Sequence, residues 1–163
     1  MKNKGFSLVE LIIVIAIMAI LAAAIAPALI RYIDKSRRSD DVAAAETINT
    51  AVQAALANEE AYDEIQNRIP STGSNSVTLA TAEADGSKAF EAIGSTCPTF
   101  LAEINSSCGG TAPKVKFTKG FDNGKPKFWT VGANAAGKPV VWLGKTQGDT
   151  TWELQPTICA SYK

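Results

Sequence analysis

The sequence contains no histidine, so it lacks the side chain most used as a general base and transition-metal ligand near neutral pH. It also has no G-x-S-x-G, no Walker loop, no H-E-x-x-H and no C-x-x-C, and enzyme readings therefore start from weak ground. Net charge is missing too. The 16 Lys and Arg balance 16 Asp and Glu, so the chain as a whole gives no electrostatic argument for nucleic acid or an acidic substrate. The acidic residues Glu59, Glu60, Asp63 and Glu64, the remaining place for an active site, read as a solvated helix face. Polar side chains are absent from Leu11 to Ile30, and glycine and proline are absent from Ser39 to Ile69. The first absence marks a segment for apolar surroundings, and the second marks an uninterrupted helix.

The apolar segment, Gly5 to Ile30, follows a leader of Met-Lys-Asn-Lys-Gly. About 20 apolar residues at 1.5 Å each span the roughly 30 Å hydrocarbon core of a bilayer. A secretory signal has a shorter apolar core, about 7–15 residues, and a cleaner small-residue end than Ala22-Ala23-Ala24. Within this run stands one acid, Glu10, and a carboxylate in such a helix is costly enough to be a functional candidate. Two readings of it stand side by side: a partnered charge inside the membrane, or a hydrated group among Lys2, Lys4 and the lipid headgroups.

The stretch Gly5-Phe6-Ser7-Leu8-Val9-Glu10 after a short lysine-bearing leader resembles the class III signal of type IV pilins and pseudopilins, and Pro27 and Tyr32 extend the likeness over about the first 35 residues. Ser7 stands where threonine is commoner. The resemblance implies that a prepilin peptidase cuts after Gly5 and that Phe6 becomes the methylated N-terminus. It further implies that the new amine is neutralised by Glu10 of a neighbouring subunit in a helical filament. The implied partners are copies of the chain, the prepilin peptidase, the pilus assembly machinery and the cytoplasmic membrane. The implied localisation is a single-pass membrane precursor, then a cell-surface filament.

Composition and resemblance together predict an α+β fold, in which a long N-terminal helix packs on a small antiparallel sheet. Its parts are a leader (1–5), a transmembrane helical half (6–30), an amphipathic half (31–69), a variable region (70–113) and a sheet with the C-terminal region (114–163). The helix is expected to run about 60 residues, roughly 90 Å. Its packing stripe is Ile48, Val52, Ala55, Leu56, Glu59 and Tyr62. Pro27 removes one hydrogen bond, which predicts a kink or loosening near Ala23 to Pro27. Short helices are expected from Asp85-Gly-Ser87 through Ile93 and from Pro98 through Asn105. Period-two stretches predict strands at Val115–Thr118, Lys127–Val131, Val140–Leu143 and Thr151–Gln155, separated by Asp122-Asn-Gly124, Ala136-Gly137 and Gly148-Asp149. Thr157 to Lys163 adds an edge strand or caps the sheet.

Cys97, Cys108 and Cys159 all follow the span. A helix between Cys97 and Cys108 would hold them about 16 Å apart, too far for a bridge. The expectation is a disulfide from Cys159 to Cys108 or Cys97, against three unpaired buried thiols. Asn105-Ser-Ser107 matches a glycosylation sequon, a frequent chance match. Lys114, Lys116, Lys119, Lys125 and Lys127 face only Asp122 in sequence. That lysine run is a weak DNA signal and a stronger sign of guarded strand edges.

Arg31, Lys35, Arg37 and Arg38 outnumber the leader lysines, so the positive-inside rule alone would turn the C-terminal part inward. The resemblance implies the opposite orientation, and it is the more specific signal. Asp149 and Glu153 are too isolated for the acidic calcium loop that the resemblance associates with major secretion pseudopilins. A pilus subunit is therefore expected, no cofactor is implied, and the alternatives are a pseudopilin of type II secretion or DNA uptake and a single-span anchored binding module.

Overall fold

The computed structural model describes residues 7–69, 76–121, 124–134 and 136–163. Gly5, Phe6, most of the polar loop after Ile69 and two residues of the Asp122-Asn-Gly124 turn lie outside the described residues. The chain divides into two compact units, Met1–Ser36 and Arg37–Lys163. Helix α1 spans Leu8–Ala57 and has Pro27 inside it. The first unit is apolar helix from Leu8 onward.

In the second unit, the chain stays helical nearly to Ile69, ending in a 3-10 turn at Gln66–Arg68, but not as the single helix that the missing glycine and proline suggest. At Asn58 the backbone turns extended (φ −82°, ψ 121°) and a separate helix, α2, runs Glu59–Ile65. Asparagine competes locally for backbone groups, and its side-chain oxygen takes the Glu60 and Ala61 amides at 3.0 and 3.3 Å. The break shifts the helical phase. Ile48, Val52 and Ala55 are buried as the stripe predicts, but Tyr62 is exposed and Ala61 and Ile65 are buried in its place.

The sheet has five antiparallel strands in the order β2-β1-β3-β4-β5. They are β1 (Val77–Glu83), β2 (Glu91–Ala92), β3 (Phe128–Ala133), β4 (Pro139–Gly144) and β5 (Trp152–Gln155). The last three match predicted strands, whereas β1 comes from the region expected to be variable and sits inside the sheet between β2 and β3. The helix expected from Asp85 is instead a turn. The Asp85 carboxylate accepts from the Ser87 amide (2.9 Å) and hydroxyl (2.6 Å), and Gly86 takes φ +83°, a conformation suited to glycine.

The predicted strand at Val115–Thr118 is not one either, because its amides are used elsewhere. Val115 donates to the Ala84 carbonyl, and Lys116 and Phe117 donate to Asp41. Helix α3, Pro98–Ser107, forms where predicted, with Pro98 in its first turn. Thr157 to Lys163 caps rather than extends the sheet: a short 3-10 turn at Ala160–Tyr162 buries Tyr162.

One core joins α1, α2, α3 and the sheet through Ile48, Val52, Ile65, Phe100, Trp129 and Leu143, among others. A fully buried Trp129 alone represents a gross transfer of about 4–6 kcal/mol at 25 cal/mol per Å2.

Candidate functional site

The first unit presents its apolar side chains outward. Leu11 is 59% exposed, Ile15 51% and Ile25 60%. The helix contains an 18-residue window of mean hydropathy 3.0 with none of it buried, long and apolar enough to cross a membrane. Uncovered apolar surface on this scale calls for lipid or protein around it.

At its start, the Glu10 carboxylate accepts the Ser7 amide at 2.8 Å, and Leu11 donates to the Ser7 carbonyl. Ser7-x-x-Glu10 is thus half of a capping box, with the third helical side chain reaching back to an orphan donor. The S-x-x-E spacing that encodes this bond is present in the sequence at Ser7 and Glu10. Pro27 lies within α1 and has no amide to give the Ala23 carbonyl. Tyr32 is 72% exposed.

A second cluster fixes the first turns of α1 inside the second unit. Asp41, 1% exposed, accepts the Lys116 amide at 2.7 Å and the Phe117 amide at 2.9 Å. Burial pushes its carboxyl above the ordinary value, outweighing those two amides. Asp40 pairs with Lys116 at 3.0 Å. Arg38 lies 4.4 Å over the Phe117 ring and donates to the Lys163 carbonyl at 3.0 Å. Phe117, Phe121, Trp152 and Tyr162 pack together with centroids 4.7–5.8 Å apart. Burial pushes the Tyr162 hydroxyl far above its usual value, and that oxygen has no hydrogen-bond partner among the described residues. Sequence reasoning missed this cluster, for Asp41 reads as one more surface acid beside Asp40.

Cys97, Cys108 and Cys159 stand as free thiols in the structure, which shows no bridge from Cys159 to Cys108 or Cys97. Cys97 and Cys108 occupy the two ends of α3, which keeps them from one another, and burial raises all three thiols. Cys97 offers α3 no cap. Glu64 supplies one from α2, accepting the Thr99 and Phe100 amides at 3.0 Å each, so it is more than a solvated face residue. Burial works against the charge of Glu64, but these bonds hold its carboxyl below the usual range. In the sequon, the Asn105 amide is occupied by both backbone groups of Phe90. Asp149 is likewise engaged, by the Lys145 amide and by Thr151.

The comparisons bear on the N-terminus. A family model described as the prokaryotic N-terminal methylation motif matches residues 1–26. The type IV major pilin protein PilA of Myxococcus xanthus (strain DK1622) is 34% identical over 68 residues, 42% of this chain and 31% of that protein. Fimbrial protein Q of Moraxella bovis is 53% identical over 54 residues, 33% of this chain and 34% of that protein. These alignments span about a third of the length of the curated relatives. No solved structure matches the chain. The N-terminal stretch that includes Gly5 to Glu10 thus carries the prokaryotic N-terminal methylation motif and is similar to type IV pilin and fimbrial proteins, in a chain whose α+β fold has a five-stranded antiparallel sheet.

Proposed function

We propose that this chain is the structural subunit of a type IV pilus-like filament. It is made as a precursor whose leader, residues 1–5, is removed after Gly5 by a prepilin peptidase, and Phe6 is then N-methylated. Residues 6–30 hold the precursor in the cytoplasmic membrane by a single pass, and the assembly machinery transfers it into a surface filament of identical copies. The carrying observation is an outward-facing apolar helix that bears the methylation motif and the single acid Glu10.

Glu10 provides the assembly logic. Cleavage creates an ammonium at Phe6, and an unpaired charge of either sign is costly in an apolar bundle. A neighbour's Glu10 neutralises it, and Pro27 loosens the helix for close packing. The engagement of Asp149 by Lys145 and Thr151 favours a pilus subunit over a calcium-binding secretion pseudopilin. No step in this role is catalytic.

Mass spectrometry of the N-terminus tests the reading. The filament form should begin at methylated Phe6, and Glu10→Ala should be processed normally yet build no filaments. A membrane form that retains Met1 throughout, or normal filaments from Glu10→Ala, overturns it.

A further inference from the structure

The unit Arg37–Lys163 exposes charge of opposite sign at its two ends. At one end, residues 114–117 lie beside the start of the α1 segment within this unit through the Asp41 bonds, and Lys127 joins them where its carbonyl receives the Ala84 amide while the Ala84 carbonyl receives the Val115 amide. Lys114, Lys119, Lys125 and Lys127 are exposed there and form no ion pair among the described residues. Of the described acids nearby, Asp40 and Glu83 are taken by Lys116 and Lys88, and Asp85, which lines a cavity with Lys127, accepts from Ser87; Asp122 lies outside the described residues.

At the other end, beyond Ala57, helix α2 exposes Glu59, Glu60 and Asp63, again with no ion pair among the described residues. Arg68, three residues after the end of α2, commits its guanidinium to the Ser95, Thr78 and Ile93 carbonyls. From Asp41 to Ala57 the helix rises about 24 Å, several times the roughly 8 Å screening length at physiological salt, so the two ends cannot neutralise each other within one chain.

We infer that the Glu59, Glu60 and Asp63 face of one subunit docks on the Lys114, Lys119, Lys125 and Lys127 end of a second copy of this chain. The inference rests on the filament reading above and adds the contact between the outer domains. An acidic end on a basic end is a heterologous, head-to-tail contact, which propagates as an open helix instead of closing as a dimer. A two-fold pairing of either end with itself would set like charges together. Complementary ends also fix direction and register more than total affinity, the division of labour needed where an apolar helix supplies the bulk of the cohesion.

The test uses the full chain expressed with its assembly machinery, with surface filaments counted by electron microscopy and subunit amounts checked by immunoblot. One variant carries Glu59→Lys, Glu60→Lys and Asp63→Lys; the other carries Lys114→Glu, Lys119→Glu and Lys125→Glu. Each alone presents like charges at both ends and should give at least about tenfold fewer filaments at equal subunit amount. Expressed together, the two can alternate and should restore them, a result that misfolded variants could not produce. Wild-type filament numbers from either variant alone, or no restoration on co-expression, overturn the docking. If the lysine variant keeps its filaments but loses binding of added DNA to them, the basic end serves an anionic polymer and the inference is overturned in that direction. If the unaltered chain forms no filaments, the filament reading itself has failed.

Discussion

Replacing Asp41 by alanine should cost more than any other single substitution of a charged residue in the second unit. The side chain is 1% exposed and receives two amides, at 2.7 and 2.9 Å. Truncation leaves both donors buried and unpaired, each worth about 1–3 kcal/mol, partly offset because a carboxylate no longer has to be buried. The net expectation is a loss of about 2–4 kcal/mol. For a domain of this size that lowers Tm by roughly 10 °C. Asp41→Asn keeps one acceptor oxygen and should lose about half as much.

Near-UV circular dichroism of the detergent-solubilised chain follows the tryptophans and reports the transition. The pH dependence provides a second readout. The folded carboxyl titrates above its unfolded value of 3.8 because of burial, so the folded state holds the proton more tightly. Its linkage contribution is full below that unfolded value and is lost as pH rises through the folded one. The wild-type advantage over Asp41→Asn should therefore shrink with rising pH in that window. A Tm for Asp41→Ala within about 2 °C of wild type, or an advantage that grows with pH there, refutes the clasp.

Three further outcomes are expected. Glu64→Ala should uncap α3 and cost about 1 kcal/mol in chemical denaturation. Because the Glu64 carboxyl is held below its ordinary 4.5, that contribution is present above this value and fades as pH falls through the folded one. Gly132→Ala should disrupt the pairing of β1 with β3, since an added Cβ would collide with the Val77 carbonyl and come within 2.9 Å of Trp142; rapid limited proteolysis in the β1 region is the readout. Asn105 should be unglycosylated in intact-mass measurements, because a glycan would displace both bonds to Phe90, and Asn105→Ala should lower stability by about 2 kcal/mol.

The elements legible in the sequence are those with long, clean patterns. Apolar continuity marks the first unit, period two marks β3 to β5, and Pro98 marks the start of α3. The missed elements turn on one side chain redirecting a backbone. Alanine-rich spacing gives no hint that Asn58 breaks the helix, for its effect comes from bonds to Glu60, Ala61 and, 45 residues away, Glu103. β1 is poor in large apolar residues and becomes a strand because β3 offers a partner along its whole length. Glu64 and Asp41 act on amides 35 or more residues distant, a range no periodicity reaches. In the candidate site the chemistry is legible in one acid within an apolar run, and its local geometry in the Ser7-x-x-Glu10 spacing.

That local geometry bears on how the proposed filament forms. In the isolated chain Glu10 already has a partner, the Ser7 amide at 2.8 Å, so the carboxylate is not simply waiting, unsatisfied, for a neighbour. A capping bond of this kind stabilises by about 0.5–2 kcal/mol. A charge-assisted bond to an ammonium is roughly twice as strong as one between neutral groups, and the surplus grows as the surroundings lose water. In hydrated headgroups the internal bond therefore competes well with an intermolecular one. Among packed apolar helices the intermolecular pair prevails, because the alternative leaves the ammonium uncompensated. In the proposed filament, exchange of the Glu10 bond from Ser7 to a neighbour's Phe6 would accompany the packing of α1 helices whose apolar side chains are exposed in the single chain.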